Sequence, residues 1–425
     1  MLYSVSHYIK TGIFFSFQRD FIAGELSAVW PTKWAWKINP DLIQQNPSVL
    51  DWMGNKIDQK KWHQGPVLHY VLFPFLYFKS FKTASYVWLI CCHIFLIISM
   101  ILWYDILFLR SGLHTISTLI LYITLWLNFV PLYDTLSMRI GILEFFFFTL
   151  SIYTFLKKLK PLSGFLLGLA IMTKFLPILF VPYFALKREF KMVISSSLTV
   201  LALIVITQFT LGWEHSVMFS NKHGTYSSVG ECQTYYNCAY FEFQSITNLI
   251  FRLFCDTPSS AHLSSFWFCT VQHPFIAKWI VKILLYSMII FYSIYFCVLR
   301  KKSDFLWDIS MLLILMIGLA PHNHVYFFLF FLIPFSLGLH YWIVFSNSLP
   351  RKEKGSDFIV LVISYLLIGV FFPYSILKYL FNLYSLRFIE VYQFYSIPVY
   401  GYLILLTWLT TKGFRGKCLL KISNS

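Results

Sequence analysis

The stretch GFLLGLAIMTKFLPILFVPYFALKREFK, residues 164–191, decides the fold of this chain. One basic cluster, KKLK at 157–160, precedes it, and a second, KREFK at 187–191, ends it. Because basic clusters favour the cytoplasmic border of a membrane, both ends are expected on the same face. Only about 25 residues separate the clusters, which is enough for one membrane span and too few for two. The stretch is therefore predicted to form a short re-entrant hairpin.

The predicted hairpin has two half-helices that meet near Lys174. One runs from Gly164 toward Lys174, and the other returns from Pro177 toward Leu186. At 1.5 Å per residue, Lys174 then lies roughly 15 Å above the cytoplasmic border. A lysine at that depth is costly unless it faces protein, water or an anion. The alternative is one tilted helix in which Lys174 snorkels to the border, although snorkelling works best near helix ends.

The composition indicates a membrane protein. The 425 residues are 58% hydrophobic and only 12% charged, whereas a soluble domain carries about 25% charged residues. The net charge of +16 does not indicate a nucleic-acid partner, because lysines and arginines stand in short clusters between apolar runs. Such clusters orient membrane proteins. The predicted fold class is an all-α polytopic bundle of about 10–13 transmembrane segments.

The basic clusters set a topology in which the two faces of the membrane alternate along a single domain, residues 1–425. The predicted cytoplasmic segments are Arg110, 157–160, 187–191, 300–302, 351–354 and the tail from Lys412. The predicted spans are 84–109, 113–130, 139–156, the hairpin 161–186, 192–212, 275–299, 304–320, 325–347, 357–376 and 393–411. The outer face receives a long first loop, 20–83, and a second long loop, 213–274. Lys79 and Lys82 lie on the outer face in this scheme, against the charge rule.

The chain before the first long span is irregular. Residues 1–19 contain only a short apolar run, 11–17, so the topology requires either a poor first helix or a chain that starts too late. Residues 67–78 of the first outer loop are apolar but too short to span, and an interfacial helix is expected there. The tryptophans of this loop suit a membrane interface.

Four cysteines fall in the predicted outer loop 213–274, at Cys232, Cys238, Cys255 and Cys269. They permit two disulfides in three connectivities, which fits an oxidising compartment. Pairing of sequence neighbours would join the first to the second and the third to the fourth. The alternative is a zinc site that also uses His215, His223 and His262. The C-x5-C spacing is not that of a zinc knuckle, so no metal site is predicted.

The hairpin resembles the signature of the polytopic glycosyltransferases of the GT-C fold. It looks most like the polyprenyl-phosphate-mannose-dependent α-mannosyltransferases of glycosyltransferase family 87. In that family a small-residue helix containing Gly-Leu-Ala is followed by Lys, Pro and a second Pro before a basic turn. The matching residues here are Gly168, Leu169, Ala170, Lys174, Pro177, Pro182, Lys187 and Arg188. The resemblance implies a GT-C-like bundle.

Weaker matches follow in the same order along most of the chain. Asp20 opens the first outer loop, and Gly65-Pro66 resembles the start of a pre-membrane helix. Gly141 and Glu144 stand where the family has Gly-Gln-x-Asn/Glu, so the Gln is absent. Gln244-Ser245, followed by Arg252-Leu253, resembles a motif of the long outer loop. The late segment PHNHVYFF from Pro321 departs from the family pattern because its Pro-to-His spacing is shorter. This leaves open which of His322 and His324 fills the family role.

Transfer from a lipid-phosphate sugar needs a base for the acceptor hydroxyl and cations for the departing phosphate. Asp20 is the predicted base because it follows the first apolar segment, and the resemblance implies the same residue. The reserve carboxylates are Glu25, Asp41, Asp51, Asp58 and Asp134. The predicted phosphate contacts are Lys174, Arg139, His322 and His324. The resemblance implies that Glu144, Gln244 and Arg252 serve the acceptor or the donor loop.

The predicted function is transfer of a hexose, most simply mannose, to an acceptor hydroxyl on the extracytoplasmic or luminal face. The resemblance implies inverting displacement, with a polyprenyl- or dolichyl-phosphate sugar as donor and a glycolipid or glycan as acceptor. No cofactor is predicted, and membrane lipids are the other expected partners. The membrane is that of a bacterial cell or of the endoplasmic reticulum. The alternatives are a transporter or flippase, for which an internal repeat would be typical, and a non-catalytic subunit of a GT-C complex.

Overall fold

The computed structural model describes residues 66–78, 81–109, 111–129, 141–211, 245–254, 274–299, 305–320, 325–345, 350–369 and 396–414. These residues are almost all helical, and none of them forms a strand. The predicted all-α class is therefore confirmed. The irregular segment 1–19 lies outside the described residues. Contacts divide the chain into two compact units: unit 1 comprises 1–102 and 133–223, and unit 2 comprises 103–132 and 224–425.

Thirteen α-helices are described. In chain order they are α1 (Pro66–Leu72), α2 (Phe81–Tyr104), α3 (Ile116–Leu127), α4 (Gly141–Leu156), α5 (Lys160–Thr173), α6 (Phe180–Leu186), α7 (Phe190–Leu211), α8 (Ile246–Phe254), α9 (Pro274–Ile294), α10 (Phe305–Leu319), α11 (Leu332–Phe345), α12 (Arg351–Gly369) and α13 (Ile397–Phe414). Short 3₁₀ segments occur at Phe73–Tyr77, Leu176–Leu179 and Val325–Phe331, and π-helical turns occur at Asp105–Leu109 and Tyr295–Leu299.

Four of the described helices are long and apolar enough to cross a membrane. They are Tyr86–Leu109, Phe190–Thr210, Phe275–Cys297 and Phe327–Phe345, with mean hydropathies between 1.9 and 2.3. Only 22–28% of the first three is buried, whereas 78% of the fourth is buried. The first three therefore present apolar side chains outward, as lipid-facing helices do, while the fourth belongs to the core of unit 2.

In unit 1, α5 and α7 cross at very close range. Gly164 and Gly168 stand four residues apart on the crossing face of α5. A Cβ at Gly168 would lie 2.6 Å from the Thr199 Cβ, and one at Gly164 would lie 2.7 Å from the Ser195 Cβ. This is the small-xxx-small pattern that lets membrane helices pack backbone to backbone. The GFLLG sequence thus positions the helix that leads to Lys174.

The hairpin stretch folds as two helices rather than as one tilted helix. α5 packs antiparallel to α4, where the Ser163 hydroxyl donates to the Ser151 carbonyl oxygen at 2.7 Å. α6 then runs in the direction of α4. This follows from two ring contacts, Phe148 with Phe180 at 4.7 Å and Phe155 with Phe184 at 5.1 Å. The chain therefore rises along α5, reverses near Lys174, and returns along α6.

The two ends of this hairpin meet. Lys160, at the start of α5, forms an ion pair with Glu189, which follows α6, at 2.6 Å. The predicted convergence of the two basic clusters on one face rested on membrane topology. The ion pair supplies a direct contact between them.

Unit 2 contains a buried ionic cluster where α12 begins and α13 ends. The predicted cytoplasmic segment 351–354 forms the first turn of α12, and Lys412, where the predicted cytoplasmic tail begins, lies in the last turn of α13. Lys412 Nζ lies 2.6 Å from Asp357 and 2.9 Å from Glu353. This pairing offsets the cost of burying the lysine.

Candidate functional site

The break between α5 and the following 3₁₀ segment presents Lys174. Its backbone is extended, with φ −147° and ψ 139°, and its N–H still donates to the Ala170 carbonyl oxygen at 3.1 Å. Pro177, which lacks an amide hydrogen, lies three residues later and is buried. The helix therefore cannot continue, and the chain turns here. The Lys174 side chain is only 9% exposed.

Glu144 is the second buried charged residue of this end of unit 1. It lies in the first turn of α4 and has no exposed surface. Lys174 is close enough to act on it electrostatically. Neither carboxylate oxygen of Glu144 has a hydrogen-bond partner within the described part of the chain. Since buried polar atoms are nearly always hydrogen-bonded, these two oxygens make Glu144 a candidate for contact with a ligand.

The start of α4 places Glu144 favourably. The first-turn N–H groups of a helix and its dipole stabilise a carboxylate at this position. Among the described residues, Lys174 is the one cation whose charge acts on Glu144. A buried lysine and a buried carboxyl group at a helix break can bind a ligand that carries both a negative group and hydroxyl groups.

α1 covers the same end of the hairpin. Val67 packs with Met172, two residues before Lys174, in a cluster that includes side chains of α7. The Tyr70 hydroxyl pairs with the Thr210 hydroxyl of α7 at 2.8 Å. The predicted segment 67–78 thus forms the short helix α1 and a 3₁₀ turn, and α1 packs against α5 and α7. This apolar cover shields the end of the hairpin from water.

A separate polar cluster lies in unit 2. Ser245 caps α8, because its hydroxyl accepts from the Asn248 N–H at 3.3 Å and also bonds the Asn248 side chain. One turn later, Arg252 is buried and its Nε donates to the Asn248 carbonyl oxygen at 3.2 Å. Burial lowers the pKa of the Arg252 guanidinium to about 9, an effect opposed by Tyr402 and Tyr400. Arg252 therefore stays cationic at neutral pH.

α8 packs against the C-terminal end of α10. Ile246 lies beside Gly318, which also faces the ring of Tyr402. Pro321, His322 and His324 follow α10 directly in the sequence. Their placement lies outside the described residues, as does that of Gln244.

The remaining predicted site residues also lie outside the described residues. They are Asp20, Arg139, Cys232, Cys238, Cys255 and Cys269. Of the predicted site, the structure thus brings together Glu144 and Lys174 in unit 1 and describes Arg252 in unit 2. Within the described ranges no group of three potential metal ligands occurs.

Sequence reasoning missed two features of the described helices. The close crossing of α5 and α7 is marked by Gly164 and Gly168 at a spacing of four. The buried ion cluster is marked by Glu353 and Asp357, also four residues apart on one helix face, and by Lys412 in the last turn of the next described helix. The Trp408 Nε1–H also donates to Asp357, at 2.9 Å. The spacing of four places Glu353 and Asp357 on one helix face, but the sequence does not identify Lys412 as their shared partner.

The model of glycosyltransferase family 87 matches residues 62–321. The match begins just before α1 and ends just after α10. It includes Arg139, Glu144, Lys174 and Arg252, while Asp20, His322 and His324 lie outside it. No curated protein and no solved structure matches the chain.

Because the match covers more than half of the chain, the chain belongs to glycosyltransferase family 87. The protein is therefore a glycosyltransferase, and its long apolar helices place it in a membrane. The family resemblance drawn from the hairpin is confirmed.

Proposed function

We propose that this membrane glycosyltransferase moves mannose from a polyprenyl-phosphate sugar to an acceptor hydroxyl on the extracytoplasmic or luminal face. The acceptor is a glycolipid or a glycan. Asp20 removes the proton of the acceptor hydroxyl, and the acceptor oxygen attacks the anomeric carbon. The bond from that carbon to the phosphate oxygen breaks, and the lipid phosphate leaves with the bonding electrons. Direct displacement inverts the sugar, so a β-linked donor yields an α-mannoside.

The observation that carries this proposal is the burial of Lys174 beside Glu144 where α5 ends. A leaving phosphate needs a fixed cation in a site of low dielectric constant, where each charge contributes more than in water. Lys174 suits this role because it is only 9% exposed and caps the C-terminal end of α5. A lysine without such a role would be costly in the apolar part of a membrane protein.

Glu144 supports a sugar-phosphate ligand over a simple anion. Its two buried oxygens lack hydrogen-bond donors within the described residues. Sugar hydroxyls are donors of the required kind, whereas a phosphate alone would be repelled by the carboxylate. We assign Glu144 to the donor sugar and Lys174 to the donor phosphate. Arg139, His322 and His324 are the further phosphate contacts in this proposal, while Gln244 and Arg252 are assigned to the acceptor side.

The test is a transfer assay in membranes that contain the full chain, with labelled polyprenyl-phosphate mannose as donor. The wild type is expected to form labelled product, and Asp20→Asn is expected to lose it, because an amide cannot accept the proton. Asp304→Asn, which alters an aspartate next to the predicted cytoplasmic cluster 300–302, is the matched control and should transfer normally. Equal transfer by the wild type and Asp20→Asn would overturn the assignment of the base.

The donor is tested in the same assay by exchange of its two parts. Polyprenyl-phosphate glucose tests the sugar, and a labelled nucleotide mannose tests the carrier. The proposal expects product only from polyprenyl-phosphate mannose. Product from another lipid-phosphate sugar would replace the sugar and keep the mechanism. Product from the nucleotide sugar alone would refute the lipid-phosphate donor.

A further inference from the structure

Two turns of unit 1 repeat one sequence pattern, Y-x-x-L-K-[K/R]. The first is YTFLKK at 153–158, where α4 ends, and the second is YFALKR at 183–188, where α6 ends. The first lysine of each pattern lies over the ring of its own tyrosine, at 5.7 Å for Lys157 and 5.6 Å for Lys187. The two turns are therefore alike in side-chain arrangement as well as in sequence.

The two turns also share one backbone geometry. The N–H of Lys158 donates to the Phe155 carbonyl oxygen at 2.9 Å, and the N–H of Arg188 donates to the Ala185 carbonyl oxygen at 3.0 Å. In each turn the next N–H bonds one residue further back, which completes a Schellman motif. Lys158 and Arg188 consequently have φ values of 65° and 60°. Glycine is favoured in this left-handed conformation, yet both turns carry a cation there.

The ion pair between Lys160 and Glu189 joins the two turns into one surface. We call this surface the paired-turn face. It comprises six cationic side chains and one carboxylate, at Lys157, Lys158, Lys160, Lys187, Arg188, Lys191 and Glu189. A surface with such an excess of positive charge attracts an anionic partner.

Exposed apolar side chains border the paired-turn face. Leu159 is 52% exposed, Leu186 is 53% exposed and Phe190 is 58% exposed. Phe190 also begins α7, one of the four helices that can cross a membrane. Cations beside exposed apolar groups at the end of a membrane-crossing helix are typical of the headgroup region of a lipid bilayer. A nucleic acid would leave these apolar groups exposed to water.

We propose that the paired-turn face is a binding site for an anionic phospholipid. Lys158 and Arg188, held in fixed positions by the two Schellman turns, contact the headgroup phosphate. The acyl chains lie against Leu159, Leu186 and Phe190. This site lies at the opposite end of α5 from Lys174, so it is distinct from the donor site. It depends only on the membrane location of the protein and not on the proposed transfer reaction.

The experiment is native mass spectrometry of the purified full chain with equal amounts of phosphatidylglycerol and phosphatidylcholine of matched acyl chains. The test variant is Lys158→Gly with Arg188→Gly, which removes two cations and places glycine where the backbone favours it. Each cation near a membrane surface is worth about fivefold in affinity for an anionic lipid. Phosphatidylglycerol binding is therefore expected to fall by about 25-fold in this variant, while phosphatidylcholine binding stays unchanged.

Two control variants separate a defined site from general charge. Lys158→Arg with Arg188→Lys keeps both cations and is expected to bind phosphatidylglycerol like the wild type. Lys352→Gln with Lys354→Gln removes two cations from a different turn and is expected to leave binding unchanged. Wild-type binding by the double glycine variant would overturn the proposal, as would an equal loss in the Lys352 and Lys354 variant. Displacement of the lipid by millimolar inorganic phosphate would also overturn it, because the site would then take a free anion.

Discussion

Gly164→Ala is expected to destabilise the protein, although replacing a helical glycine by alanine normally stabilises a helix. The added methyl group would overlap the Met192 carbonyl oxygen and lie 2.7 Å from the Ser195 Cβ. Both atoms are attached rigidly to the α7 backbone, so α5 and α7 have to separate. Overpacking of this kind costs about 1–3 kcal/mol, against a helix-propensity gain of about 1 kcal/mol. The net change in the free energy of unfolding is a loss of up to about 2 kcal/mol.

Gly355→Ala is the matched control. Gly355 also lies within a helix, α12, but a Cβ there would meet no heavy atom within 4 Å. Only the propensity gain applies, so this variant is expected to be more stable than the wild type by about 1 kcal/mol. The assay is thermal unfolding of both purified variants, followed by tryptophan fluorescence. A Gly164→Ala variant as stable as Gly355→Ala would refute the close crossing of α5 and α7.

Two further predictions concern the buried ionisable residues, and a third concerns metal dependence. Asp357→Asn leaves Lys412 without its closest partner and is expected to lower the free energy of unfolding by about 3–5 kcal/mol. Glu353→Gln, at the more exposed side of the cluster, is expected to cost about 1 kcal/mol or less. Equal losses of stability in thermal unfolding would contradict this difference. Glu144→Gln replaces a buried carboxyl group that lacks hydrogen bonds within the described residues, so the melting temperature is expected to stay the same or rise, while transfer falls by about tenfold or more. A stable variant with normal transfer would exclude Glu144 from the donor site. Transfer is expected to continue in the presence of a chelator such as EDTA, and loss of transfer that added Mg²⁺ or Mn²⁺ restores would show that the reaction needs a metal.

The reversal of the hairpin could be predicted from sequence because its causes are local. Two basic clusters with too few residues between them exclude a pair of full spans, and Pro177 after Lys174 prevents one continuous helix. The structure adds what local sequence cannot supply. The ion pair between Lys160 and Glu189 joins residues that are distant in the chain. The direction of α6 follows from ring packing on α4.

The surroundings of Lys174 could be predicted only in part. Its burial followed from the cost of a lysine at that depth, but its neighbour Glu144 lies thirty residues earlier on another helix. The family resemblance singled out Glu144 without indicating that its carboxylate is buried. Lys412 shows the same limit. The pattern of cations assigned it to a cytoplasmic segment, but that pattern does not indicate that two acidic residues of α12 bury the lysine.

The most direct test of the donor site is the transfer rate of Lys174→Ala as a function of donor concentration. A charge-assisted hydrogen bond to phosphate contributes about 1.5–3 kcal/mol, which corresponds to a loss of about 10- to 160-fold in kcat/KM. Lys352→Ala, which removes an exposed lysine of α12, is the control and should retain the wild-type value. The folded fraction of Lys174→Ala, checked by thermal unfolding, is expected to lose kcat/KM to this extent. A folded Lys174→Ala variant with wild-type kcat/KM would contradict the assignment of Lys174 to the donor phosphate.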